Sequence, residues 1–392
     1  MPLHVATLDD IRNNRVTDIY FERTYQILRA KDADAVVTAE VRSGVPDGSD
    51  FGLLCGVEEL LTVLEGLPVD VDSLPEGAYF RDREPVMTIT GRYTEFARLE
   101  TALLGLLCQA SGVATKAARC KLAAGTRTVV SFGARRMHPV LAPMIERAAW
   151  IGGCDGFSVV SASDLIGVPA SGTMPHALII MVRDLAKALV WFDEVIGPDV
   201  PRVALIDTFD DEKFSALIAA EALGKRLSAV RLDTPASRRG DMLALLREVR
   251  WELDLRGYEH VRLFVSGNLD EKELLRLNEL ADGYGVGTAI SNARVCDMAL
   301  DIVAIGEEPV AKRGKASGRK QIMACPECRE RVIVPLQQAS VAARCACGEE
   351  RQALLQPLVR NGQVVAERPT VAEIKRYCWS QVESWVRSGE VV

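Results

Sequence analysis

The central part of the chain alternates between short apolar segments and longer amphipathic ones. Each short segment ends in polar residues or glycine, as β-strands do where they reach the edge of a sheet. Six such strand ends are predicted, at 130–136, 171–176, 205–209, 230–234, 264–268 and 284–288. Helices are predicted between them at 140–151, 177–196, 212–223, 241–255 and 271–281. This alternation predicts a parallel sheet or an α/β barrel, in which the chemistry lies at the carboxyl ends of the strands.

The N-terminal region has a different, mixed pattern. Helices are predicted at 9–13, 22–31 and 57–65, a strand at 32–41, and two strands within 77–93 joined by a turn at 82–85. A helical pattern rich in Leu and Ala then runs from 96 to 125, with Gly112 as its only expected interruption. Helices and strands mixed in this way predict an α+β domain.

A chain of 392 residues is too long for one simple core. We expect an N-terminal α+β domain at 1–105, an α/β barrel that carries the catalytic groups at 106–305, and a C-terminal segment at 306–392. That last segment contains a cysteine-rich module at 325–348 and a predicted helix at 371–388.

Composition and charge favour an ordinary globular protein over a nucleic-acid-binding or membrane protein. The chain is 48% hydrophobic and 26% charged, with a formal net charge of −7, so no general nucleic-acid partner is expected. The longest apolar stretch, 177–196, contains charged residues and predicts a buried helix instead of a membrane span. Residues 1–10 lack a secretory signal, and the ten cysteines are expected to be reduced thiols or metal ligands. The expected location is the cytoplasm.

Two glycine-containing turns are candidates for a phosphate site. Gly285-Val-Gly287-Thr288 follows one predicted strand, and Ser266-Gly267-Asn268 follows the strand before it. Glycine lets backbone N–H groups approach an anion closely, and late loops of α/β barrels commonly bind phosphate. Tight turns also use glycine for steric reasons, so each turn by itself leaves both interpretations open.

Charged residues follow or end two other predicted strands, and a histidine ends a third. Arg135 and Arg136 follow one, and Arg231 and Asp233 alternate with apolar residues in another. Burying the side that carries Arg231 and Asp233 requires either a mutual salt bridge or a ligand. Guanidinium groups suit carboxylate and phosphate ligands. His176 follows Gly-Thr-Met-Pro, where it is either a polar packing residue or an acid, base or nucleophile.

Four cysteines in the C-terminal segment predict a metal site. Cys325 and Cys328 form a Cys-x-x-Cys pair, and Cys345 and Cys347 form a Cys-x-Cys pair after sixteen intervening residues. This spacing resembles the two knuckles of a zinc ribbon, although the second pair departs from the usual spacing. Four thiolates leave no open position, so we expect a structural zinc ion. A redox pair is the alternative.

Taken together, these segments resemble the nicotinate phosphoribosyltransferases, within the type II phosphoribosyltransferases. The resemblance covers nearly the whole chain and is carried by 17–20, 84–86, 99–101, 132–136, 172–177, 207–208, 230–233, 285–288 and 312–318. It implies that nicotinate and 5-phosphoribosyl 1-pyrophosphate give nicotinate mononucleotide and pyrophosphate, in NAD salvage. It also implies an α/β barrel flanked by an α+β domain that the C-terminal segment completes, in a homodimer or higher homo-oligomer with shared active sites.

The resemblance also implies roles for individual residues. Phe132, and Tyr20 of a neighbouring subunit, would sandwich the pyridine ring. Arg135, Arg231 and Thr173 would lie around the nicotinate carboxylate and the pyrophosphate. Gly267, Gly287 and Thr288 would hold the 5-phosphate, and Asp233 would face the ribose hydroxyls or a Mg²⁺ ion bound with phosphoribosyl pyrophosphate.

In the family, the histidine after Gly-Thr-x-x is phosphorylated by ATP, and His176 occupies that position. An ATP-coupled cycle through a phosphohistidine is therefore expected. Asp207 is either a further substrate or metal contact or a structural strand end. The chain departs from the family pattern at 234–239. This stretch separates Asp233 from Gly240-Asp241 and puts the ribose contacts in doubt.

Other functions remain open at this point. Quinolinate phosphoribosyltransferases share the barrel, but they are shorter, lack a cysteine module and need extra basic residues for a second carboxylate. Nicotinamide-specific relatives are longer. The third alternative is a non-catalytic zinc-ribbon binding protein on an inactive barrel, which the intact set of Arg135, His176, Arg231 and Thr288 argues against.

Overall fold

The computed structural model describes residues 3–46 and 49–387, and the chain forms two compact units. The first contains the residues up to Thr115 together with those from Arg294 onward, and the second contains Lys116–Ala293. Ser388, the last residue of the predicted terminal helix, lies outside the described residues. Within the described ranges, every helix is too short or too polar to cross a lipid bilayer.

The first unit is built on an antiparallel sheet of seven strands. In sheet order these are Glu308–Pro309, Ala299–Ile305, Val36–Arg42, Pro85–Arg92, Val69–Ser73, Gln356–Arg360 and Gln363–Val364. Smaller antiparallel sheets contain Arg331–Pro335, Lys320–Ala324 and Gln352–Ala353, and Gly52–Leu53 with Tyr79–Phe80. The α-helices are Leu8–Arg12, Ile19–Ala30, Val57–Leu64, Tyr93–Phe96, the part of Glu100–Ala124 up to Thr115, and Val371–Arg387. Strands from both ends of the chain thus share one sheet.

The core of this unit follows from simple periodicity. In the Val57–Leu64 helix, the buried positions include Val57, Leu60, Leu61 and Leu64, which form one helical face. Gly56 begins the helix in the left-handed region, with φ +93°. The buried face packs in one cluster with apolar residues of the sheet and of the long helix.

Gly112 does not interrupt the long helix, contrary to expectation, because Glu100–Ala124 is continuous. The glycine is explained by packing. A Cβ atom at position 112 would lie 2.3 Å from the carbonyl oxygen of Arg294, within the same unit. The absent side chain therefore permits close backbone approach and does not mark a break.

We predict that Gly112→Ala destabilises the protein although alanine is the better helix former. Alanine should gain about 1 kcal/mol from helix propensity, whereas forcing backbone atoms apart in a packed region should give a net loss of about 1 to 3 kcal/mol. Gly105→Ala is the matched control, because its Cβ would have no described atom within 4 Å. Denaturant unfolding should show the two variants shifted in opposite directions. Stabilisation by both substitutions would contradict the packing explanation.

The second unit is an α/β half-barrel around a curled parallel sheet, as predicted. Its six strands, in sheet order, are Gly156–Phe157, Thr128–Ser131, Gly283–Val286, Arg262–Ser266, Leu227–Leu232 and Arg202–Leu205. Its α-helices are Ala142–Ile151, Ala162–Ile166, His176–Val182, Leu185–Val195, Glu212–Leu223, Ala236–Arg239, Met242–Leu255, Glu271–Leu277 and Thr288–Ser291. The strands are mostly buried, as parallel strands covered on both faces are.

Two local expectations in this unit are wrong. The segment 171–176 does not end a strand. The strand at this edge of the sheet is instead Gly156–Phe157, and the segment is joined to it where the Ser171 N–H donates to the Phe157 carbonyl at 2.7 Å. Prolines at 169 and 175 remove the N–H groups that a longer ladder would need.

The predicted helix at 177–196 is in fact two helices. The first helix ends at Arg183, which has φ +61°. Asp184 caps the second helix by accepting the Lys187 N–H at 2.9 Å. The continuous apolar pattern concealed this cap.

Candidate active site

Five parallel strands of the second unit lead directly into residues of the candidate site. Those residues, one or two positions after the strand ends, are Phe132, Asp207, Asp233, Gly267 and Gly287. Because the strands are parallel, their carboxyl ends lie at one edge of the sheet. The polar groups described below are therefore concentrated there by topology.

Arg231 is the central cation of this edge. Its side chain is only 11% exposed, and its Nη1 donates to the Thr173 hydroxyl at 2.6 Å. Its Nη2 lies 3.8 Å from Asp233 Oδ2. Burial lowers the pKa of Arg231, and the carboxylates of Asp233 and Asp207 oppose that effect. Its Nε has no hydrogen-bond partner among the described residues, so one buried donor is unused.

Asp233 is held from two sides. Its Oδ1 accepts a hydrogen bond from the Ser266 hydroxyl at 3.0 Å, and its Oδ2 faces both Arg231 and His176. Ser266 ends the neighbouring strand, so the carboxylate is fixed by the two strands next to each other in the sheet. Asp233 is 27% exposed and can still reach a ligand.

His176 begins a helix and points its two ring nitrogens at different partners. Nδ1 lies 3.0 Å from the Thr208 hydroxyl, whereas Nε2 lies 3.7 Å from Asp207 Oδ2 and 3.8 Å from Asp233 Oδ2. Asp207 is only 3% exposed, and neither of its carboxylate oxygens has a side-chain hydrogen-bond donor in the described part of the chain, although the nearby backbone N–H groups of Asp233 and of Asp207 itself favour its charged form. Burial raises the pKa of Asp207, a positive charge on His176 opposes this, and Asp233 raises the pKa further.

Phe132 lies between strand ends and beside the guanidinium group. Its ring centroid is 6.3 Å from that of Phe264, and the guanidinium carbon of Arg231 is 5.9 Å from the Phe132 ring centroid. A Cβ atom at Gly285 would lie 2.2 Å from the Phe132 ring, so glycine at that position makes room for the ring. Gly285 is therefore explained by packing alone.

The other two turn glycines have different explanations. Gly267 has φ +91° and Asn268 has φ +52°, so this turn needs the left-handed region. Gly287 has φ −99°, and a Cβ there would meet no described atom closer than 3.8 Å. Packing does not require glycine at 287, but its ψ of −105° lies outside the regions that residues with side chains commonly adopt, so its backbone conformation favours glycine. It precedes the short Thr288–Ser291 helix and leaves its backbone open to approach.

Comparison with known proteins places this chain in a family. Models of the quinolinate phosphoribosyl transferase N-terminal and C-terminal domains match residues 18–111 and 113–301. Nicotinate phosphoribosyltransferase pncB1 of Mycobacterium tuberculosis (strain ATCC 25618 / H37Rv) is 32% identical over 323 residues, which cover 77% of this chain and 69% of the relative. The chain belongs to the type II phosphoribosyltransferases.

Solved structures agree with this assignment. The crystal structure of nicotinate-nucleotide pyrophosphorylase from Pyrococcus furiosus has a TM-score of 0.95 and 50% identity, and the match covers 98% of each chain. The human Nicotinic Acid Phosphoribosyltransferase has a TM-score of 0.71 and 22% identity over 94% of this chain and 93% of that one, which shows the fold alone. This type II phosphoribosyltransferase therefore acts in NAD synthesis, and the predicted fold class is confirmed.

The structure brings together most of the residues predicted for the phosphoribosyltransferase site. Contacts connect Phe132, Thr173, His176, Asp207, Arg231 and Asp233. Gly267, Gly287 and Thr288 lie at the same sheet edge. Arg135 is exposed on the short Ala134–Arg136 turn, and its charge helps to lower the pKa of Arg231.

Tyr20 belongs to the first unit of this phosphoribosyltransferase. It lies in the Ile19–Ala30 helix, is 56% exposed, and packs on Phe21 with ring centroids 4.3 Å apart. Burial, Asp18 and Glu100 raise the pKa of its phenol. Burial and the charge of Asp301 in turn raise the pKa of Glu100 to about 7. The ring of Tyr20 is thus exposed on the surface, with acidic groups close enough to raise the pKa of its phenol.

Three further polar residues were not predicted as site side chains. Thr208 contacts His176 and Ser266 contacts Asp233, and both lie at strand ends that the sequence does reveal. Glu146 is fully buried in the Ala142–Ile151 helix, where it accepts the Ser158 N–H and hydroxyl, each at 3.2 Å. Burial raises the pKa of Glu146. A glutamate within an amphipathic helix gives no sequence signal for such burial.

The four predicted metal ligands also converge, within the first unit. The sulfur atoms of Cys325, Cys328, Cys345 and Cys347 all lie within 4.8 Å of one another. The Cys325–Cys347 and Cys328–Cys345 sulfur pairs are 3.5 and 3.4 Å apart. Tetrahedral zinc thiolates with Zn–S bonds of about 2.3 Å require sulfur separations of about 3.8 Å. The cluster therefore has the size and donor set for a zinc ion.

We predict that Gly285→Ala impairs binding of the acceptor base in this phosphoribosyltransferase. The new Cβ displaces the Phe132 ring, so KM for the acceptor should rise about tenfold or more, in line with the cost of misplacing a group that positions substrate. Gly197→Ala is the matched control, because its Cβ meets no described atom within 4 Å. Steady-state kinetics with the acceptor varied measure both. An unchanged KM for Gly285→Ala would show that Phe132 does not line the acceptor site.

Proposed function

We propose that this type II phosphoribosyltransferase is a nicotinate phosphoribosyltransferase. It joins nicotinate to 5-phosphoribosyl 1-pyrophosphate and releases nicotinate mononucleotide and pyrophosphate. The observation that carries the proposal is the pairing of Phe132 with the buried guanidinium of Arg231, 5.9 Å away and with an unused Nε donor among the described residues. An aromatic face and a guanidinium group together suit a flat ring with one carboxylate. The name of the M. tuberculosis relative supports the same substrate.

The remaining groups suit phosphoribosyl pyrophosphate. Asp233 and Asp207 supply carboxylate oxygens for the ribose hydroxyls or for a Mg²⁺ ion that accompanies the pyrophosphate. Gly267, Gly287 and Thr288 provide the turns for the 5-phosphate, and the open space at Gly287 leaves its backbone accessible to a ligand. Arg135 and Arg231 supply positive charge on the side of the departing pyrophosphate.

The proposed reaction needs positioning more than acid–base chemistry. The lone pair of the pyridine nitrogen forms the new bond to the ribose C1, and the bond from C1 to the pyrophosphate oxygen breaks with its electron pair on the leaving group. Positive charge develops on the ribose and negative charge on the pyrophosphate. Carboxylates and guanidinium groups that are already in place stabilise both.

We further propose that ATP drives the reaction through phosphorylation of His176. The imidazole is 37% exposed, and its Nε2 faces two carboxylates that stabilise a proton or positive charge on the ring. His176 shares Asp233 with the proposed ribose site, so phosphorylation and substrate binding involve the same charged cluster.

The assembly is proposed to be a homodimer or a higher homo-oligomer with shared active sites. Tyr20 is the residue that a second copy would place on the free face of the pyridine ring, opposite Phe132. Its 56% exposure leaves the ring accessible for that role.

Quinolinate phosphoribosyltransferase is the second candidate, because both matching family models bear that substrate in their names. Pyrophosphate release with nicotinate, quinolinate and nicotinamide, each with and without ATP, separates the alternatives. We expect nicotinate to be preferred by at least about a hundredfold in kcat/KM, because a buried charged group discriminates strongly against an unmatched partner. Quinolinate turnover with release of carbon dioxide would overturn the proposal.

We predict that His176→Ala abolishes transfer of label from [γ-³²P]ATP to the protein and removes the stimulation of nicotinate turnover by ATP. The reason is that no other described histidine faces the Asp207 and Asp233 carboxylates. His260→Ala is the control, because His260 is exposed and precedes the Arg262–Ser266 strand at the opposite edge of the sheet. Label retained in His176→Ala would exclude this residue as the phosphoryl acceptor.

We also propose that the four-cysteine cluster holds one structural zinc ion, and that losing it destabilises the Cys-rich module. Elemental analysis should find about one zinc ion per chain, and the double variant Cys345→Ser/Cys347→Ser should retain less than about a tenth of it. Cys108→Ser, which lies outside the cluster, is the control and should keep its zinc. A metal-free native protein with disulfides between these cysteines would favour the redox alternative.

A further inference from the structure

Among the described residues, Thr208 is the one polar contact of the His176 ring that is not a carboxylate. Its hydroxyl lies 3.0 Å from Nδ1 in a half-buried setting, on the side of the ring away from the two carboxylates that face Nε2. Thr208 follows Asp207 directly in the chain, so one strand end supplies a partner to each ring nitrogen. The sequence alone leaves Thr208 without a role.

The two kinds of partner distinguish the nitrogens chemically. Carboxylates only accept hydrogen bonds, so Asp207 and Asp233 favour a proton on Nε2. In the neutral ring Nδ1 then carries the lone pair, and the Thr208 hydroxyl can donate to it. A ring turned by 180° would present carbon atoms to these partners and lose the hydrogen bond. The hydroxyl therefore stabilises one ring orientation and one tautomer.

We propose that Thr208 is a positioning residue for His176. Its hydroxyl holds the imidazole with Nε2 toward Asp207 and Asp233 and thereby prepares the ring to accept a phosphoryl group. This inference rests on the proposed ATP-coupled role of His176.

Transfer of the phosphoryl group needs no reactant other than ATP and His176. The Nδ1 lone pair forms the bond to the γ-phosphorus of ATP, and the bond from that phosphorus to the bridging oxygen breaks, so that ADP leaves with the electron pair. The proton remains on Nε2, where the carboxylates stabilise the positive charge that the ring acquires. The Thr208 hydroxyl releases Nδ1 as the phosphoryl group arrives and is then free to donate to one of its oxygens.

Thr208→Val removes the hydroxyl with little change in shape. Thr208 also lines a cavity of about 350 Å³ with Arg183, Asp184 and Phe209, so the substituted methyl group has room. Thr208→Ser keeps the hydroxyl and is the rescue variant. A residue that only supports the fold would make valine and serine similar in effect.

The first test is direct and needs no ATP. The ¹⁵N chemical shifts of the His176 ring, assigned with His176→Gln, report the tautomer in the intact protein. We expect a predominant Nε2–H tautomer in the wild type and in Thr208→Ser, and a mixture in Thr208→Val. An unchanged tautomer in Thr208→Val would overturn the proposal.

The second test is the initial rate of phosphoenzyme formation from [γ-³²P]ATP. We expect Thr208→Val to be slower by roughly three- to tenfold, as for the loss of one neutral hydrogen bond, and Thr208→Ser to be within about twofold of the wild type. Equal rates in the wild type and Thr208→Val, or a serine variant as slow as the valine one, would overturn the positioning role. Absence of label in the wild type would instead refute ATP coupling, and a preparatory role for Thr208 would fall with it, whatever the tautomer shows.

Discussion

One buried guanidinium group ties the strand ends of the second unit into a single polar cluster. Arg231 hydrogen bonds Thr173, which lies in an extended segment outside the sheet, and pairs with Asp233 at the end of its own strand. A buried charge is tolerated only when it is paired, so these contacts also fix the segment that leads into the His176 helix. The position of His176 therefore depends on Arg231 through the chain as well as through the shared carboxylate.

The carboxylates of this cluster are not fully paired with positive charge, which suits the proposed ligands. Asp207 and Asp233 face one guanidinium group and one imidazole, and Asp207 has no side-chain hydrogen-bond donor within the described ranges. Burying an unpaired carboxylate is unfavourable, and the raised pKa of Asp207 reflects that burial. A metal ion, a ribose hydroxyl or a positively charged imidazole ring would each stabilise the buried carboxylate of Asp207. Among the described residues, the backbone N–H groups of Asp233 and Asp207 favour the charged carboxylate, and its oxygens keep the capacity to bind a further ligand.

The fold and much of the site follow from local patterns. Strand ends at Phe132, Asp207, Asp233, Gly267 and Gly287 are visible because an apolar run stops at a polar residue or glycine. Thr173 reaches the site from a segment with no strand, which periodicity cannot show. The break at Arg183 lies within a continuous apolar pattern, and only the capping aspartate that follows marks it. Glu146 is invisible for a different reason, because its burial is decided by tertiary packing against Ser158.

The turn glycines show how packing and backbone conformation can be separated within one site. Gly285 is needed by the Phe132 ring, and Gly133 is needed because its Cβ would lie 2.3 Å from the carbonyl oxygen of Gly287. The turns at 133 and 287 are therefore in close contact. Gly287 itself has open space where a side chain would be, but its φ of −99° and ψ of −105° lie outside the regions that residues with side chains commonly adopt. Backbone conformation therefore accounts for this glycine, and the open space at the carboxyl end of a parallel strand also lets a ligand approach the backbone there.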